Sequence, residues 1–251
     1  MKRALIFVYG ACAYLLFFAT LVYAMGFVAN VIVPKGIDSG RVESLAIAML
    51  VNSLMLGAFA IQHTIMARPA FKKWLAQFMP PAMERSTFVL VASGLLAVAF
   101  WQWKAMPGIV WTVENEAARM LLHGTYWLGW FLVLFSSFLI NHFDLFGLRQ
   151  VWMELRRQTY KPLVFRTTGL YKLVRHPLLL GFLLAFWSAP DMSEGRLLFA
   201  VLTTLYILVG IQFEERDLAA THEEYRRYRQ EVPMLIPYKP PRPEPEPLKV
   251  S

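Results

Sequence analysis

The chain has a single cysteine, Cys12, among 251 residues. That excludes a disulfide framework and a cysteine-rich zinc site. Charge is also scarce. Only 17% of residues are Asp, Glu, Lys or Arg, against roughly 25% in an average soluble domain. A water-exposed globular surface is therefore not the expectation. Disorder is excluded more firmly, because 57% of residues are apolar and 15% aromatic. Acidic residues are the scarcer sign: 17 Asp and Glu face 25 Lys and Arg, a formal net charge of +8. On a soluble domain this excess points to nucleic acid. Here nucleic acid is not the expected partner, because membrane proteins gather cations on one side of the bilayer. No internal repeat is present.

What the chain has is long charge-free runs. Residues 5–33, 45–66, 87–103, 120–140, 178–189 and 197–213 contain no Asp, Glu, Lys or Arg. A spanning helix takes about 20 apolar residues, with a range of roughly 17–25. Five runs meet this. The run 178–189 lies between Pro177 and Pro190 and is too short alone. It reads as a short helix in a hairpin with 197–213. The first run is too long for a signal-peptide core and reads as a true span. The fold class is an all-α integral membrane protein with five to six transmembrane helices, surrounded by membrane lipid. With both termini cytoplasmic and all six runs crossing, 20 of the 25 cations lie inside. Only Lys35, Arg41, Lys104, Arg119 and Arg196 lie outside. The positive-inside rule favours this arrangement. The outer loops are short. Segments 141–177 and 214–251 hold most polar side chains, so chemistry is expected at the cytoplasmic face. Residues 1–237 read as one membrane domain, and the proline-rich 238–251 as an extended tail.

Two clusters stand out. In the first, Arg175 and His176 precede Pro177, and proline is favoured at the first position of a helix. A helix start beside an arginine suits a carboxylate or phosphate. Gly181, one turn on, makes room for a ligand or another helix. A positive-inside anchor and an interfacial histidine explain the same residues equally well. The second cluster, Glu214 and Glu215, lies where the last span leaves the bilayer. Acids at a membrane edge are functional candidates, because burying them requires a partner. A helix continues from there through Tyr225 and Tyr228 to Pro233, and it suits an ordinary amphipathic tail on anionic lipid as well. Together the clusters meet the needs of an amino-acid-like zwitterion, without choosing among zwitterions.

Arg175-His176-Pro177, Gly181, Glu214-Glu215, Leu218, Tyr225, Tyr228, Val232-Pro233 and Ile236-Pro237 resemble the C-terminal signature of the isoprenylcysteine and phospholipid methyltransferase superfamily. The resemblance implies that region 165–237 holds S-adenosylmethionine, with Tyr171, Arg175, His176, Pro177, Gly181, Glu214, Glu215 and Tyr225 as its contacts. Further upstream, Gln62-His63 and Asn141-His142-Phe143-Asp144, with Arg149-Gln150, resemble the bacterial methanethiol S-methyltransferase family. That resemblance implies an enzyme of the bacterial cytoplasmic membrane that methylates a small volatile thiol, methanethiol to dimethyl sulfide. Selection among such thiols would rest on pocket size, with each methylene worth about 1–3 kcal/mol, so hydrogen sulfide is expected to be a second acceptor.

Gln62, His63, Asn141, His142, Asp144, Arg149 and Gln150 all fall near the inner ends of the second and fourth spans, so one membrane depth can hold them. His142 or His63 is expected to take the thiol proton, with Asp144 orienting an imidazole. Helix capping by Asn141 and Asp144 is the plainer reading of those two. Two alternatives stand beside this one. The same fold accepts a larger acceptor, a prenylcysteine carboxylate or a phospholipid amine. Otherwise the protein is not an enzyme and binds haem through two of His63, His123 and His142, of which His63 and His142 are the pair able to share an iron. No metal is expected for the methyltransferase.

Overall fold

The computed structural model describes residues 1–163, 167–221 and 223–238. Residues 165, 166 and 222 of the expected cofactor region, and the tail beyond Tyr238, lie outside these. In chain order the elements are α1 (Lys2–Ala29), α2 (Leu45–Ala67), α3 (Pro69–Leu75), α4 (Pro81–Gln102), β1 (Ile109–Thr112), α5 (Glu116–Ile140), α6 (His142–Leu145) and α7 (Leu148–Leu155). They continue with a 3-10 turn (Gly169–Lys172), α8 (Pro177–Trp187), β2 (Asp191–Ser193), α9 (Glu194–Thr221) and α10 (Glu223–Glu231). Helices α1, α2, α4, α5 and α9 are long and apolar enough to cross a membrane. The chain is an all-α integral membrane protein.

The 11 residues of α8 rise about 17 Å at 1.5 Å per residue, roughly half of a hydrocarbon core. This fifth run connects the far end of α9, through His176 and Glu215, to the β1–β2 pair. Beyond α8, β2 pairs antiparallel with β1, and β1 joins α4 to α5. That hairpin end also holds Asp38, which pairs with Arg196 at 2.8 Å. Buried Asn52 closes the same end by exchanging two hydrogen bonds with the Lys104 backbone. The opposite end holds Arg3 paired with Glu154, Lys72 with Glu84, and Arg68 with Asp217. The amino terminus and α10 therefore lie at one end of the bundle.

Two glycines make close approaches possible. A Cβ on Gly181 of α8 would lie 2.6 Å from the carbonyl oxygen of Gly129 in α5, and the reverse contact is equally short. The room at Gly181 is filled by α5, the second of its two expected uses. Gly147, at φ 86°, turns the chain between α6 and α7, and a Cβ there would lie 2.7 Å from the Ser86 nitrogen. This brings the α6–α7 turn against the first turns of α4.

The main aromatic core, with Phe27, Phe100, Trp103, Trp130, Phe186 and Phe199, belongs to the hairpin half of the bundle. Phe27, Phe100, Phe186 and Phe199 each lie toward that end of their helices. The other half opens into a cleft of about 1050 Å³ lined by Arg85, Asp144, Gln150, Glu154, Arg157 and Tyr160.

Candidate active site

The α8 start and the end of α9 meet directly. Glu215 is 2% exposed. Its Oε1 accepts from Arg175 Nε at 2.6 Å and from His176 Nε2 at 3.0 Å. Its Oε2 lies 3.1 Å from Arg229 Nε. A carboxylate only accepts, so His176 carries its hydrogen on Nε2. His176 Nδ1 then points toward Glu214, 3.9 Å away. The backbone fixes the same corner: Arg175 N donates to Pro233 O at 2.8 Å and His176 N to Met234 O at 3.1 Å. The Val232-Pro233 segment, read from sequence as a helix stop and as part of the superfamily signature, is the strap that holds the α8 start.

This arrangement divides the expected zwitterion site differently from the sequence reading. Arg175 and Glu215, read as separate ligand contacts, are each other's partners. Arg175 also donates through Nη1 to the carbonyls of Arg229 and Val232, which leaves Nη2. Glu214, whose side chain is 56% exposed, is the carboxylate left open. Tyr228 donates to Tyr171 O at 2.6 Å, and Tyr225 packs edge-on to Tyr228. Burial, reinforced by the Glu214 charge, holds the Tyr171 phenol above its ordinary range. Burial pushes Tyr228 up to about 12. Both phenols are therefore neutral hydrogen-bonding groups at ordinary pH.

The expected acceptor residues do not form one cluster. His142 is 3% exposed and lies flat on Phe138, 4.3 Å between centroids. Ser137 gives its single hydroxyl hydrogen to Leu134 O at 2.6 Å. It therefore accepts from His142 Nδ1 at 2.8 Å, and Tyr14 donates to His142 Nε2 at 2.9 Å. Both ring nitrogens are used, and burial holds the imidazole below its ordinary pKa, in the neutral form. His142 ties α1 to α5 and is not placed to take a proton from a substrate. Its engagement also removes the shared-iron arrangement of His63 and His142. Asp144 does not orient it: Arg149 Nη1 donates to Asp144 Oδ1 at 2.7 Å and Tyr160 to Oδ2 at 3.3 Å. Asn141 caps α6 by accepting from Asp144 N.

Three polar atoms remain buried without a hydrogen-bond partner in this region: Gln62 Oε1, His63 Nδ1 and Gln150 Oε1. Such atoms are costly to bury and are uncommon in native proteins. His63 sits among Phe59, Phe88 and Tyr206. Sequence reading missed Arg85, which stands as one cation among several in the inner segments. Its Nε donates to Leu145 O at 2.6 Å across the Gly147 turn. It lies over the Phe88 ring that also touches His63, and it lies within electrostatic reach of Asp144 and Glu214. Among the described residues, no three His, Cys, Asp or Glu side chains lie together as a metal site.

Fold and site define a multi-pass membrane protein with a charge-paired polar centre at one end of its bundle. No family model matches the chain and no solved structure does. Relatives are clear, however. It is 50% identical over 239 residues to a methanethiol S-methyltransferase of Mycobacterium tuberculosis, covering 95% of this chain and 98% of that one. It is 51% identical over 236 residues to methanethiol S-methyltransferase 2 of Bradyrhizobium diazoefficiens, covering 94% and 91%. A more distant likeness, 25% over 194 residues, is to rat nurim, covering 74% of this chain and 73% of that one. The chain belongs to the methanethiol S-methyltransferase family.

Proposed function

We propose that this protein transfers a methyl group from S-adenosylmethionine to methanethiol, giving dimethyl sulfide, at the cleft end of the bundle. The observation that carries the reading is near-complete coverage, at about 50% identity, of relatives bearing that activity in their names. The donor set fits the methyl donor. Glu214 suits an ammonium, Arg175 Nη2 and the α8 start suit a carboxylate, and Tyr171 and Tyr225 supply aromatic surface. Bound there, the donor supplies an electrophilic methyl on a cationic sulfur. Glu215, with Arg229, holds Arg175 and His176 in place. Gly181 acts through the α5–α8 contact.

On the acceptor side, the unpartnered Nδ1 of His63 is the base for the thiol proton. Gln62 and Gln150 have carbonyl oxygens free to accept. Asp144 lines the cleft and is held by Arg149. Attack of a thiolate on a cationic sulfur's methyl destroys charge, so the apolar surroundings of His63, among Phe59, Phe88 and Tyr206, favour it over water. Cells expressing the protein and given methanethiol are expected to release dimethyl sulfide, and vector-only cells are not. Headspace chromatography reads this directly, and equal release from both sets would refute the reading.

The cleft end faces the cytoplasm in this account, because 20 of 25 cations lie on that side, and residues 1–237 act as one unit in the bacterial inner membrane. Reporter fusions after Ser251 and in the loop holding Lys35 are expected to report cytoplasm and exterior, respectively. The reverse result would invert the protein.

A further inference from the structure

Arg85 has a cation's need without a cation's partner. Among the described residues it forms no ion pair, whereas Arg3, Arg68, Lys72, Arg149, Arg175 and Arg229 each do. Glu84, Asp144 and Glu214 act on it electrostatically without reaching pairing distance. Its Nε is taken by Leu145 O. That bond, and the Gly147 turn that allows it, aim the guanidinium rather than neutralise it. Arg85 lines the cleft, and its terminal nitrogens donate no hydrogen bond among the described residues. A half-buried charge left this way is costly unless a ligand supplies the opposite sign.

The neighbours say which anion. The Phe88 ring lies 5.1 Å from the Arg85 guanidinium carbon and 4.7 Å from the His63 ring. Arg85 and the unpartnered His63 Nδ1 thus share one aromatic wall. A carboxylate would have the α8 start and Arg175 Nη2 to go to. A small thiol, with one ionisable atom and no other polar handle, needs its base and its counter-charge side by side.

We propose that Arg85 is the thiolate-binding residue: its terminal nitrogens hold the sulfur anion formed when His63 takes the thiol proton. This rests on the methanethiol reading above. The S–H bond breaks, an N–H bond forms at His63 Nδ1, and the electron pair stays on sulfur beside Arg85. Sulfur then forms its bond to the donor's methyl carbon as the donor's own bond to that carbon breaks, the pair going to the donor sulfur. His63 returns the proton to solvent. Thiolate, not thiol, is the nucleophile, so Arg85 sets how much of the bound acceptor is reactive at a given pH.

The test is the pH profile of kcat in purified protein, because kcat reports ionisations in the bound complex. Arg85→Met is expected to lower kcat for methanethiol by about 10²-fold near neutral pH, the scale of losing one charge-stabilising donor. Its profile midpoint should move upward, so that kcat approaches wild type as the pH rises. Arg85→Lys should restore part of both effects, and it serves as the readable variant if Arg85→Met does not fold. Calorimetric affinity for S-adenosylmethionine should be unchanged in both. A drop of equal size at every pH would show a structural role and overturn the inference. Weakened donor affinity would place Arg85 on the donor's carboxylate and overturn it as well. A wild-type protein that binds the donor but leaves methanethiol unchanged refutes the functional reading itself, an outcome distinct from either.

Discussion

Glu215→Ala is expected to destabilise the protein by about 3–5 kcal/mol and to abolish measurable binding of S-adenosylmethionine. The first figure is the usual cost of removing one partner from a buried ion pair. Here the loss is concentrated, because one carboxylate serves Arg175, His176 and Arg229 together. With it gone, Arg175 has no counter-charge and His176 Nε2 no acceptor, both side chains being mostly buried, and the α8 start loses its alignment with the strap at Pro233 and Met234. Glu215→Gln keeps the shape and should fall between. Unfolding in detergent gives the stability, and titration calorimetry gives the affinity. Glu214→Ala makes the contrast: it should weaken donor binding with little change in stability, because its side chain is largely exposed. Unchanged stability and affinity in Glu215→Ala would remove the corner from the account.

His63→Ala should slow dimethyl sulfide formation by about 10²–10⁴-fold, the range for general-base assistance, while S-adenosylmethionine still binds. Imidazole added to the assay should recover part of the rate by occupying the space and supplying a base. His142→Gln is the control. His142 uses both nitrogens within the core, so its replacement should lower stability without creating a rate that imidazole rescues. If His63→Ala retains full activity, the thiol proton goes elsewhere.

The spans are legible in the sequence because hydrocarbon tolerates no charge: the charge-free runs find helices α1, α2, α4, α5 and α9, though α4 begins six residues before its run and α9 continues eight residues beyond its run. The short helix α8 is legible through Pro177 and Pro190. The β1–β2 pairing is not, since Ile109–Thr112 is four residues in a loop and its partner lies far along the chain. Arg175, His176 and Glu215 are legible as important, but not as partners of one another, because Arg175 and Glu215 are 40 residues apart and no periodicity connects them. His142 and Asp144 look like a base and its orienting acid because they are close in sequence. The one-turn helix α6 sends them to different neighbours, Tyr14 and Ser137 for one, Arg149 and Tyr160 for the other. Arg85 is hidden by company: in sequence it is one of the inner-face cations, and only the Leu145 carbonyl and the Phe88 ring single it out.

The central claim is methyl transfer to a small thiol. Its most direct measurement supplies purified protein with S-adenosylmethionine labelled on the transferred methyl, together with unlabelled methanethiol, and analyses the volatile product. The account predicts dimethyl sulfide carrying one labelled methyl per molecule, formed at a rate that depends on His63 and Arg85. Unlabelled product, or label transferred to a prenylcysteine analogue in preference to methanethiol, would contradict it.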